Sequence, residues 1–203
     1  MSGERLSPDF GEAHPDSLAC RLNLACDLSA REDKVGAFEV ASQVLQVYQA
    51  TIGGMHPFTL VAQNNISTYL RGVGSVREAL GLVDRTLNVM RESLGDDHPF
   101  TLSCEVNKAN CLHDLRRLTE AESLQRETVG RLKKTLGDNH PDTNVCEANL
   151  AIVLRAQGRL DEAEALQLKV IAGLSQVLGT DHPSVTALRN WKLQNRDLEA
   201  QPT

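Results

Sequence analysis

A metal site, a redox centre or a covalent nucleophile in this sequence would have to be built from its histidines and cysteines. Six histidines are present, and five of them open a His-Pro dipeptide, at His14, His56, His98, His140 and His182. A tetrahedral metal ion needs several ligands converging at about 2 Å. Each His-Pro pair stands 42 residues after the one before it. Side chains in one such column fall on successive packed elements about 8–10 Å apart, too far to share an ion. A histidine followed by proline suits capping instead, because proline fits the first helical turn. The five cysteines, Cys20, Cys26, Cys104, Cys111 and Cys146, include no C-x-x-C pair. They read as reduced, small, buried side chains. Cys111 and His113 point to different helix faces, and Asp161 with Glu162 suits a helix start, where the dipole favours acids. No phosphate-cradling G-x-x-x-x-G-K-[ST] occurs. The sequence therefore predicts no enzyme, no metal and no cofactor.

The register that argues against a metal site is itself the main structural signal. Gly11, Gly53, Gly95, Gly137 and Gly179 precede the His-Pro column by three residues. Asn23, Asn65, Asn107 and Asn149 follow it by nine, and Ala37, Ala79, Ala121 and Ala163 by twenty-three. Self-similarity at a fixed period marks a repeat architecture. In the last full unit, Val145, Ala148, Ala151, Ile152 and Leu154 recur at helical steps, and Gly158 ends that run. Ala163, Leu166, Val170, Leu174 and Val177 form a second stripe, closed by Gly179 as a C-cap. Each unit is thus two helices, and a helix pair must stack on its neighbours to bury its stripe. The expected organisation is a remnant or linker at 1–13, four units at 14–55, 56–97, 98–139 and 140–181, a capping helix at 182–198 and a tail at 199–203. The first unit lacks the mid-repeat glycine, and the second has Gly72 and Gly74 there.

Composition narrows the function. Hydrophobic residues make up 41% and charged residues 24% of the 203, close to soluble globular averages. Net charge is −6, and basic residues cluster no further than Arg116–Arg117 and Lys133–Lys134, which argues against nucleic acid. No apolar run is long enough to span a membrane. No signal segment is visible, so a cytoplasmic location is expected.

The segment NLAIVLRAQGRLDEAEALQLKVI, 149–171, resembles a tetratricopeptide repeat, with Leu150, Ala151, Leu154, Gly158 and Ala163 on its signature positions. LGDDHPFTL at 94–102 and LGDNHPDT at 136–143 resemble the 42-residue kinesin-light-chain type, also found as C-terminal arrays behind NTPase domains in bacterial and fungal signalling proteins. The resemblance covers 11–198. It implies an all-α, right-handed α-solenoid of helix-turn-helix repeats with the first helix of each pair on the concave side.

The resemblance also implies a site. Asn is a mediocre helix former, yet Asn23, Asn65, Asn107 and Asn149 sit mid-helix. In related repeats this column faces the groove, where its amides grip the backbone of a bound peptide. A structural ladder of hydrogen bonds between repeats is the other reading. Arg71, His113 and Arg155 lie further along the same helices, with Ser29 in the first unit. They would favour an acidic ligand group, or simply the negative end of the helix dipole. The lysines of chaperone carboxylate clamps are absent, their places holding Ala19, Leu22, Val61, Asn64, Ser103 and Val106. The expected function is a protein- or peptide-binding scaffold, the C-terminal arm of a larger regulatory protein. The alternative is a self-assembling homo-oligomer joined through its uncapped N-terminal face.

Ala163 belongs to a column that closely approaching helices leave no room to enlarge. Overpacking costs about 1–3 kcal/mol, so Ala163→Leu should lower the urea midpoint. An unchanged midpoint would place this column away from the packing face.

Overall fold

The computed structural model describes residues 14–194, and the remnant expected at 1–13, residues 195–198 of the expected capping helix and the tail at 199–203 lie outside them. Nine helices and no strand occur among the described residues. They are α1 (Pro15–Ala30), α2 (Lys34–Thr51), α3 (Pro57–Gly72), α4 (Val76–Leu94), α5 (Pro99–Asp114), α6 (Leu118–Leu136), α7 (Pro141–Ala156), α8 (Leu160–Leu178) and α9 (Pro183–Arg189). The architecture is an all-α solenoid of helix pairs.

Each first helix starts in the same way. The His14, His56, His98, His140 and His182 rings sit at the N-cap with extended backbone, and proline follows at the first helical position. Each ring Nδ1 accepts from the backbone N–H two residues on, at 3.1–3.2 Å. This satisfies one of the N–H groups that a helix start leaves without an intrahelical partner.

The turns between helices repeat as well. The first helix of each pair ends with a residue in the left-handed region, at Glu32 (φ 67°), Gly74 (φ 91°), Arg116 (φ 62°) and Gly158 (φ 82°). The following residue donates back to Leu28, Leu70, Leu112 or Leu154, which closes the helix as a Schellman motif. The unit without a mid-repeat glycine thus makes the same turn with Glu32. The second helices close at Gly53, Gly95, Gly137 and Gly179, all with φ near 90°.

Packing makes two layers. Every helix packs on its sequence neighbours, and the odd helices also touch across repeats, α1 on α3, α3 on α5 and α5 on α7. The odd helices are therefore the inner layer. The alanines Ala37, Ala79, Ala121 and Ala163 are all fully buried.

The chain's last described helix is shorter than the expected 182–198. α9 stops at Arg189, and Trp191 takes φ 55° with Lys192 N–H donating back to Ala187. The reason is packing. Trp191 lies against the cluster of Leu150, Leu154 and Ala163, and covers apolar surface that another repeat would otherwise bury. That contact offsets the roughly 1–2 kcal/mol cost of a left-handed residue.

A Cβ at Gly137 would meet nothing within 4 Å, so its φ of 96° and ψ of 164° alone exclude a side chain. Gly137→Ala should therefore cost about 1–3 kcal/mol in chemical denaturation, although the added methyl touches nothing. Equal denaturation midpoints would show that the joint relaxes freely.

Candidate functional site

The inner layer carries Asn23 on α1, Asn65 on α3, Asn107 on α5 and Asn149 on α7. Asn23 is half-buried and the other three are buried. The amides of Asn65, Asn107 and Asn149 bond across repeats. Asn65 Nδ2 lies 3.5 Å from Cys26 Sγ on α1, and Asn64 Nδ2 donates to Asn65 Oδ1 at 3.3 Å. Asn107 Nδ2 donates to Asn64 Oδ1 at 3.1 Å, and Asn149 Nδ2 donates to Asn110 Oδ1 at 3.1 Å. Amides therefore link α3 to α5 and α5 to α7.

Asn149 has a second kind of partner. After Trp191 the chain turns so that Gln194 lies against α5 and α7. Gln194 N–H donates to Asn149 Oδ1 at 2.9 Å, and Gln194 C=O accepts from Asn149 Nδ2 at 2.8 Å. The same carbonyl accepts from Asn110 Nδ2 at 2.9 Å. One side-chain amide thus pairs with both main-chain groups of one residue. Only a group offering a donor and an acceptor side by side can do this.

The basic side chains are distributed differently from the asparagines. Arg71 donates to Asp114 Oδ2 at 2.6 Å across α3 and α5, and His113 Nδ1 lies 3.0 Å from Asp114 Oδ1. Burial opposes ionisation of Asp114. The His113 hydrogen bond and the Arg71 charge outweigh it and hold the carboxyl below its ordinary value. Arg155 lies apart from this pair, its guanidinium 4.4 Å from the centroid of the Trp191 ring. Burial pushes the Cys111 thiol up to about 12 and the Cys104 thiol higher still, which disfavours thiolate chemistry at both. No cluster of metal-ligating residues occurs among the described residues.

Asn64, Asn110 and Asp114 are absent from the sequence-derived site. Asn110 and Asp114 do not recur at the repeat period and Asn64 recurs only at Asn190, so the register does not point to them. The available signal was the opposite one: Asn64 stands where the other repeats have Leu22, Val106 and Ala148.

Two tetratricopeptide repeat models match the chain, one over residues 58–134 and 104–176 and the other over 17–58. Comparison with curated proteins gives no match. Among solved structures, the putative kinesin light chain nearly identical TPR-like repeats of Podosopora anserina are 26% identical with a TM-score of 0.68, covering 88% of this chain and 84% of that one. A Rap protein complexed with Competence and Sporulation Factor is 16% identical with a TM-score of 0.71, covering 86% of this chain and 46% of that one. BtubC from P. vanneervenii is 15% identical with a TM-score of 0.67, covering 87% and 75%. At these lower identities the likeness is one of fold. No described helix is long and apolar enough to cross a membrane.

The Asp114 junction carries its own pH dependence. A carboxyl held low in the folded state adds stability that is present above its unfolded pKa and lost as pH falls through the folded value. Asp114→Asn should lower the melting temperature at pH 7, and the gap should close as pH falls through the carboxyl's lowered pKa. A gap that persists at the lowest pH would assign the loss to packing instead of charge.

Proposed function

The chain belongs to the tetratricopeptide repeat family, with repeats of the kinesin-light-chain type, and from that premise we propose that it binds an extended peptide along its inner layer. The family fold is a protein-interaction scaffold. The observation that carries the reading is the Asn149 amide holding both main-chain groups of Gln194. Such a contact reads backbone and leaves side chains free, so it serves many peptide sequences. Asn23, Asn65 and Asn107 occupy the equivalent positions on the other odd helices and extend the track through the repeats. Bonds to Cys26 and Asn64 hold the Asn65 and Asn107 amides in place until a ligand exchanges for them.

Arg71, His113 and Arg155 then flank the track. An acidic ligand group near Arg71 would share its guanidinium with Asp114. A Rap protein of similar fold was solved complexed with Competence and Sporulation Factor, which supports a ligand-binding role here. In this reading the array is the interaction arm of a larger cytoplasmic regulatory protein.

A peptide-display selection on the immobilised full chain, followed by calorimetry with the enriched peptides, tests the reading. Each neutral hydrogen bond contributes roughly 0.5–1.5 kcal/mol. Asn65→Ala/Asn107→Ala should therefore weaken binding about five- to hundred-fold, with helix content retained because Ala is the better helix former. A lower melting point with unchanged affinity of the folded protein would reduce the column to a structural ladder.

A further inference from the structure

The residues that occupy Asn149 and Asn110 belong to the chain itself. Their attachment is uneven. Trp191 is anchored, packed on the Leu150–Leu154–Ala163 cluster and stacked under Arg155. Of the three residues after it, Lys192 and Gln194 are held by polar contacts. Gln194 has its main-chain bonds to Asn149 and Asn110. Lys192 Nζ reaches Glu32 Oε1, in the turn after α1, at 2.6 Å. Leu193 joins none of the buried apolar clusters. The Lys192–Glu32 pair is about two-thirds exposed on both sides, and such surface pairs are weak.

Two further features bear on displacement. A cleft of about 690 Å³ opens beside this segment, lined by Cys26, Ser29 and Lys34 of the first unit on one side and Leu193 on the other. It gives an incoming strand room to enter while the resident one is still seated. The Gln194 side chain is also poorly matched to its place. Its Nε2 is buried with no hydrogen-bond partner among the described residues. An unsatisfied buried donor carries a cost that an apolar residue in the same place avoids.

We propose that Asn149, Asn110 and Glu32 form a peptide subsite whose resident occupant is the chain's own Lys192–Leu193–Gln194, and that an external ligand binds by displacing it. The ligand is an extended peptide with an apolar residue where Asn149 reads the main chain and a basic residue two positions before it. The basic residue takes the place of Lys192 on Glu32. Trp191 stays packed as the anchor, so the segment swings away from its N-terminal end without unfolding a helix. The proposal rests on the main-chain-reading function above and adds the occupant and the ligand's chemistry.

The test uses the full chain and a fluorescein-labelled peptide with the sequence of residues 190–198, followed by anisotropy. A site occupied nine-tenths of the time raises the apparent Kd about tenfold. The variant Lys192→Glu/Gln194→Pro loses the ion pair and the Gln194 N–H, since proline has none. It should bind the peptide about tenfold more tightly than the parent, and adding Asn149→Ala should abolish the gain. The same peptide carrying Gln194→Leu should bind the parent more tightly than the unsubstituted one. Circular dichroism melts confirm that each variant is folded, and Lys192→Glu alone replaces the double variant if proline disturbs α9. Equal affinities for parent and variant, both lost with Asn149→Ala, would overturn the resident occupant and leave the groove reading standing. Binding that ignores Asn149→Ala, or no binding by any folded variant, would overturn both. Weaker binding of the leucine peptide would overturn the ligand chemistry.

Discussion

At each joint between helix pairs, the carbonyl of the closing glycine accepts the N–H of the histidine three residues on, at 3.4 Å. At Gly53, Gly95 and Gly137 it also accepts a threonine hydroxyl, from Thr59, Thr101 and Thr143, at 2.7–2.9 Å. The histidine ring then caps the next helix. The last joint keeps the glycine and histidine but has Val185 in the threonine's place, buried between α8 and α9. Because the backbone at these joints is fixed by one glycine conformation and one carbonyl, each pair leaves the last in the same direction. That constancy puts the odd helices side by side, and only then do asparagines on α3, α5 and α7 come within hydrogen-bonding reach. The site is a by-product of a repeated joint.

The features that depend on this joint were legible from sequence because they recur. The caps, the closing glycines and the buried alanine column all follow from residues spaced by one period. The parts that were not legible occur once within the four full repeats. Asn64 and Asn110 interrupt columns that are otherwise apolar or mixed, and Asp114 stands where the other repeats have Ala30, Gly72 and Ala156. A pattern built from recurrence averages such residues away. The end of α9 was missed for a related reason. Trp191 falls in the column that is mid-helix asparagine in the four full repeats, but the indole packs over the open end of α7 and α8 and the backbone turns left-handed to deliver it.

The buried polar groups divide into two kinds. Glu105 is held by Arg91, Arg131 and Thr128, and Glu147 by Lys133 and Lys169, each between a first helix and the second helices beside it. Removing one partner from such a set leaves a buried charge uncompensated, so these networks are fixed and hold the register of repeats two to four. The inner-layer amides are neutral and offer both donors and acceptors. They can exchange one amide partner for a peptide group at little cost. The charged networks that tie first helices to second helices are therefore the frame, and the amides along the odd helices are the adaptable surface.

The segment after Trp191 also differs from the rest of the molecule in how far its partners lie along the chain. The helices meet sequence neighbours or the next repeat. Gln194 reaches back 45 residues to Asn149 and 84 to Asn110, and Lys192 reaches back 160 to Glu32. Locally connected arrays fold quickly and can nucleate in any unit. Contacts that span the whole sequence form only after every intervening unit has stacked. Closure of the segment over α5 and α7 is then a late event of folding, and its opening is a local excursion of the native state that hydrogen exchange registers without unfolding of the repeats.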